Sequence, residues 1–119
     1  MLESFDVEAA FLNAKPSSPT YISWPKGMKE FAFLSEEEIR TSCAELTRAM
    51  YGNIDSPLQW MKTFSNYLKE KLNMLQSATD PCIFYKRKEG KVVLILVLYV
   101  DDTLCAGRKD EVEWAYKII

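Results

Sequence analysis

The apolar positions change period along the chain, and the change predicts the elements. After Ser56 the apolar residues Trp60, Met61, Phe64, Tyr67, Leu68, Leu72 and Leu75 recur at helical spacing, with Lys62, Lys69, Glu70 and Lys71 mostly off that face. This predicts a helix from Pro57 to about Leu75. Ser56 fits its N-cap, Pro57 its first position and Gln59 its third. Farther on the pattern becomes continuous. Cys82 to Lys86, the charged turn Arg87-Lys88-Glu89-Gly90 and Lys91 to Val100 read as a β-hairpin. The second strand is so uniformly apolar that it is expected at the sheet centre, buried on both faces. Asp101-Asp102 interrupts that run, Thr103 to Ala106 resumes it and Gly107 closes it, so a second hairpin is expected. Asp110 is placed to cap a last helix, Glu111 to Ile119.

The first half is more broken. An apolar segment, Leu2 to Leu12, reads as a strand ending near Asp6 and then a helix-prone Ala-rich stretch. A Pro-rich loop (Lys15 to Pro19) separates it from an extended stretch, Thr20 to Trp24, which Pro25-Lys26-Gly27 ends as a turn. Ser35-Glu36-Glu37-Glu38 is a capping-box pattern and predicts a helix from about Glu36 to Leu46. Helices and strands interleave without strict alternation, which points to an α+β fold.

Composition narrows the function. The 119 residues, 48% hydrophobic, suffice for one domain with a real core. With 15 basic and 17 acidic residues the net charge is -2, which excludes a strongly basic nucleic-acid binder as the simple reading. There is no histidine, so imidazole bases, Ser-His-Asp and Cys-His nucleophiles and His-ligated zinc are excluded. Cys43, Cys82 and Cys105 lack metal-knuckle or redox spacing, and free thiols in a reducing compartment are expected. The longest apolar run, Val92 to Val100, is nine residues, whereas a membrane span takes about 20. With no signal peptide or transmembrane segment evident, a soluble cytoplasmic protein without a membrane partner is expected.

The carboxylates carry the candidate chemistry. Asp101 and Asp102 follow nine apolar residues, with no basic residue until Arg108. Neighbours on a straight strand face opposite ways, so both can address one space only at a turn. Held together they would repel unless a cation sat between them, and a hard divalent metal suits oxygen ligands. The dipeptide alone fits a solvent-exposed hairpin tip better than a metal site. Asp6, at a strand end before a helix-prone stretch, is a third candidate ligand or merely an N-cap.

Five stretches, in order, resemble the reverse transcriptase domain of copia-type long-terminal-repeat retrotransposons. They are Asp6 to Asn13, Thr20 to Met28, Met50-Tyr51-Gly52 with Ser56-Pro57 and Trp60, Asp80 to Phe84, and Tyr99-Val100-Asp101-Asp102 followed by Gly107. The resemblance implies a polymerase palm-type domain, a small antiparallel sheet with helices packed on one face, with most of the fingers, the thumb and RNase H lying outside residues 1–119. It implies RNA-directed DNA polymerisation, in which two Mg²⁺ ions (Mn²⁺ a possible substitute) promote attack of a primer 3′-hydroxyl on a dNTP. Asp6 and Asp101 would hold the ions, the Val7 carbonyl would add a ligand, and Asp102 would support the site. Phe11 would be a steric gate against the ribose 2′-hydroxyl, and Tyr51 and Gly52 would lie along the incoming nucleotide. Pro57 and Trp60 would be structural, starting and packing the helix beneath the site. The implied partners are an RNA or DNA template with primer, dNTPs, and the remaining reverse transcriptase, RNase H and integrase regions of a polyprotein, in a cytoplasmic virus-like particle. Asn53-Ile54-Asp55 and Leu58 depart from the family's more basic pattern, which weakens the case for template contact there. The alternatives are an inactive transposon relic, or a domesticated non-catalytic binding module that keeps the fold.

Overall fold

A computed structural model of the chain describes residues 1–31 and 33–119. Strand β1 (Leu2–Asp6) leads into a 3-10 turn (Ala10–Asn13). There follow β2 (Tyr21–Ile22), α1 (Met28–Phe31), α2 (Glu36–Thr41) and β3 (Ala44–Glu45). Helix α3 (Ser56–Leu72) precedes β4 (Leu75–Gln76), β5 (Ile83–Lys88), β6 (Lys91–Tyr99) and β7 (Asp102–Gly107), and α4 (Lys109–Ile118) comes last. One antiparallel sheet has the order β1-β7-β6-β5-β4, and β2 pairs with β3 separately. The expected mixed fold with a small antiparallel sheet is what forms.

Helices α3 and α4 pack on one face of the sheet. From the strands that face presents Phe84, Leu94, Leu96, Leu98 and Cys105. It meets Trp60, Phe64, Leu68 and Leu72 of α3 and Val112 and Ala115 of α4. Strand β6 is central, as predicted, but it is not buried on both faces. Leu94, Leu96 and Leu98 are buried, whereas Ile95 between them is 41% exposed. Helices cover only one side, so the apolar run that implied two covered faces serves one. Leu2, Leu75, Ile95 and Leu104 line the open side.

The two hairpins use different turns. β5–β6 turns through Glu89 and Gly90, both at positive φ (+50° and +76°), the pattern of a type I′ turn that matches strand twist. β6–β7 turns through Val100 and Asp101, with φ positive (+57°) at Val100 alone, the pattern of type II′. Gly107 is required by proximity: a Cβ there would lie 2.3 Å from the Val93 carbonyl oxygen.

Several boundaries move. Helix α3 ends at Leu72 because Asn73 turns left-handed (φ +52°) and the Asn73 and Met74 amides both donate to the Leu68 carbonyl. Leu75 thereby becomes part of edge strand β4, paired with Tyr85. Ser56 is not the N-cap; Asp55 holds that position without a side-chain capping bond, and the buried Ser56 hydroxyl donates to the Met50 carbonyl (2.6 Å). The capping box at Ser35 forms with both bonds, yet α2 stops at Thr41. Trp24 Nε1 donates to Ser42 Oγ (2.9 Å), and Ala44–Glu45 pairs with β2 instead of continuing the helix. Asp110 does not cap α4; it accepts from the Arg108 guanidinium (3.2 and 3.3 Å). The helix-prone stretch after Asp6 is only the short 3-10 turn, entered through a left-handed Ala9 (φ +50°).

A candidate metal centre

The sheet brings together carboxylates that are 95 positions apart in the chain. Asp6 ends β1 directly opposite Asp102 on β7, and Asp102 in turn lies opposite Tyr99 on β6. Cross-strand partners share a face, so Asp6 and Asp102 both stand on the open side of the sheet. Asp101 sits in the adjacent turn. Each of the three offers a carboxylate oxygen within 4.8 Å of the others. Among the described residues none of the three has a basic partner within 4.0 Å. Two unit charges at that separation repel by roughly 1 to 3 kcal/mol, depending on how much water screens them. The cluster is therefore unfavourable by itself and suits a hard cation, which carboxylates bind through oxygen. A groove of about 360 Å³ opens beside it, lined by Ser4, Asp6, Val97, Tyr99, Asp102 and Leu104.

Long-range bonds hold the turn that carries Asp101. The Val7 amide donates to the Asp101 carbonyl (3.0 Å), which extends β1 by one bond past Asp6. The indole N–H of Trp60 donates to the Val100 carbonyl. Trp60 is 3% exposed and stacks on Phe64 with ring centroids 4.9 Å apart. Sequence reasoning placed Trp60 in the packing of the helix. It missed the bond, because a buried indole must place its N–H but its partner lies 40 residues away.

Phe11 and Tyr51, named separately from sequence, meet. Their ring centroids are 4.4 Å apart at 32°. Phe11, on the 3-10 turn, is 7% exposed, and Tyr51 is 55% exposed, so Tyr51 is the outer ring of the pair. Gly52 follows at φ +93°, a conformation that disfavours other residues. Pro57 lies in the first turn of α3. Two buried groups were not anticipated: among the described residues neither the Thr103 hydroxyl, next to Asp102, nor the Asn53 side-chain amide nitrogen has a hydrogen-bond partner.

The family model described as reverse transcriptase (RNA-dependent DNA polymerase) matches residues 1–117. The Retrovirus-related Pol polyprotein from transposon TNT 1-94 of Nicotiana tabacum is 31% identical over 107 residues, covering 90% of this chain and 8% of the relative. The transposon Ty5-1 protein of Saccharomyces cerevisiae is 31% identical over 102 residues, 86% of this chain and 30% of the relative. The chain thus spans less than a third of the length of either relative. No solved structure matches it significantly. Nearly the whole chain is aligned in one family, and the relatives are transposon proteins. The chain belongs to the reverse transcriptase family of copia-type retrotransposons.

Proposed function

We propose that residues 1–119 are the palm of an RNA-directed DNA polymerase and that Asp6, Asp101 and Asp102 are its catalytic carboxylates. The observation that carries the reading is the convergence of three unpaired carboxylates, from two separate strand ends, within 4.8 Å. Asp6 and Asp101 would hold two divalent ions, Mg²⁺ or Mn²⁺, with the Val7 carbonyl as a further ligand and Asp102 in support. Ions there would supply the positive charge that activates a primer 3′-hydroxyl and neutralises a triphosphate. The open face beside them would take the primer end, paired to an RNA or DNA template. Because Tyr51 covers Phe11, the wall against a ribose 2′-hydroxyl would be the tilted ring pair, with Tyr51 outermost and Gly52 letting the backbone approach the nucleotide. The fingers, thumb, RNase H and integrase regions would come from the rest of a polyprotein.

Two measurements test this. Mn²⁺ titrated into the chain should be bound, read as loss of the free-ion EPR signal, and Asp6→Asn or Asp101→Asn should remove the binding. In a polypeptide that supplies the regions present in its relatives, Asp101→Asn should lower primer extension by about a thousandfold or more. Normal extension by that variant would refute the catalytic assignment. Mn²⁺ binding without any extension in the long polypeptide would favour the inactive relic.

A further inference from the structure

We infer that Trp60 is a positioning residue for the carboxylate site: by holding the Val100 carbonyl, its indole N–H keeps the β6–β7 turn in the geometry that sets Asp101 beside Asp6. This rests on reading the three carboxylates as a divalent-cation site.

The turn does not hold this shape through its own preferences. Val100 is β-branched and sits at φ +57°, where a side chain crowds its own backbone. Such a residue persists only when its surroundings impose the conformation. Both loop carbonyls are restrained from outside the hairpin: Asp101 by the Val7 amide (3.0 Å), Val100 by the Trp60 indole. The first restraint is backbone, but the second depends on one side chain. Besides Trp60, the cleft beside Val100 is lined by Pro57, Met61, Cys82, Leu98 and Tyr99, of which Cys82 offers only a weak thiol donor and Tyr99 is an exposed side chain. Trp60 itself is fixed. It is buried, stacked on Phe64, and one turn into a helix whose start is tied by Ser56 to Met50. If packing alone mattered, a phenyl ring would serve. The N–H is what couples α3 to the turn.

Trp60→Phe keeps the ring and removes the donor. Mn²⁺ affinity of the chain, read by EPR, should fall about fivefold, the worth of one net hydrogen bond. Val100→Gly removes the cost of positive φ, so adding it to Trp60→Phe should restore most of the lost affinity while changing the unsubstituted chain less. The backbone ¹³Cα and ¹³Cβ shifts of Val100 should move toward extended values in Trp60→Phe. A plain core role predicts lower stability with unchanged affinity and unchanged Val100 shifts, and that result would overturn the inference. So would failure of Val100→Gly to restore binding.

The unsubstituted chain gives a second test, which decides even if Trp60→Phe does not fold. Coupling is reciprocal, so saturating Mg²⁺ should slow exchange of the Trp60 indole N–H about fivefold and leave the Trp24 and Trp114 indoles unchanged. Unaltered Trp60 exchange in the ion-bound chain overturns the inference. If neither ion binds the unsubstituted chain, the cation reading fails by itself. The Val100 shifts then decide whether Trp60 restrains the turn.

Discussion

Residues 15–48 and the sheet-and-helix body contain similar kinds of side chain and treat them in opposite ways. In the body, Phe84, Leu68, Leu94 and Leu96 are fully buried between the sheet and two helices. In residues 15–48 no described residue is buried: Tyr21 is 61%, Phe31 83% and Phe33 91% exposed. The segment leaves and returns through one small joint, where buried Ala14 accepts from the amide of buried Ala49 (2.9 Å) and Asp55 accepts from the Ser17 amide and hydroxyl. Its elements are short, and its sheet has two strands. A two-stranded sheet is marginal unless something packs on it. The radius of gyration reflects the division: 19.1 Å, against about 13 to 14 Å for a compact chain of this length. Apolar residues therefore make a core only where the topology supplies a second layer.

The widest separation should appear in truncations. Phe84→Ala, at a fully buried position, should cost about 3 to 5 kcal/mol in chemical denaturation. Phe33→Ala should shift stability by less than about 0.5 kcal/mol. Comparable losses would show that the segment is packed as tightly as the body.

Next in size is the ion cluster that ties the β5–β6 hairpin to α4. Glu111 is 3% exposed and pairs with Lys86 (3.2 Å) and Lys88, while Lys86 also lies 3.6 Å above the centre of the Trp114 ring. Lys88 lowers the Glu111 carboxyl below its ordinary value by hydrogen bonding, and Lys86 adds to the effect, outweighing burial, which raises it. A carboxyl lowered by folding stabilises the fold above the ordinary glutamate range, and that stabilisation disappears as pH falls through the folded value. Glu111→Gln should cost on the order of 2 kcal/mol at neutral pH, and the body's acid unfolding should become less steep. An unchanged acid profile would remove the cluster from the account of the body.

The orphan hydroxyl beneath the carboxylates gives a smaller effect of opposite sign. Thr103 is 2% exposed and its Oγ1 has no partner among the described residues. Thr103→Val replaces the hydroxyl with a methyl of similar size and should stabilise the body by about 1 kcal/mol. A loss of stability would mean that an ordered water satisfies the hydroxyl.

The same contrast governs what could be read from sequence. In the body, periodic apolar spacing gave α3, and the continuous run with Glu89-Gly90 gave the β5–β6 hairpin. A turn at Asp101-Asp102 was expected because two carboxylates after an apolar run demand one; it forms one residue earlier, at Val100-Asp101, with Asp102 already paired in β7. That β1 pairs with β7, setting Asp6 opposite Asp102, is a long-range match that no local pattern carries; the family resemblance implied only that Asp6, Asp101 and Asp102 share one site. Leu75 was read as the end of α3 because it fits the helical period, which outweighed the stop signal of Asn73 after Lys69 and Lys71. One-sided burial of β6 was missed because an apolar run does not say how many faces are covered. Helix α2 was overextended because its N-terminal box is explicit, whereas its end depends on Trp24 and on strand pairing.

The smallest expected effect tests whether the two regions unfold together. Helix α2 begins with a complete capping box: the Glu38 amide donates to Ser35 Oγ, and the Ser35 amide donates to the Glu38 carboxylate (2.7 Å). Hydrogen bonding from the Ser35 amide, with a smaller contribution from the Ser35 hydroxyl, lowers the Glu38 carboxyl, although the group is fully exposed. Loss of such a cap costs a helix about 1 kcal/mol. In a chain that unfolds as one unit, that loss would appear in full in the global midpoint. If residues 15–48 open independently of the body, it falls only on local equilibria. Ser35→Ala should then speed amide exchange at Glu38 and Ile39 several-fold and leave the body's denaturation midpoint unmoved. Ile39 is informative because its amide donates to the Ser35 carbonyl (3.0 Å), which alanine retains, so faster exchange there reports helix opening and not loss of its partner. A midpoint lowered by the full amount would mean that the joint at Ala14 and Ala49 transmits stability between the regions, making one cooperative unit despite the difference in burial.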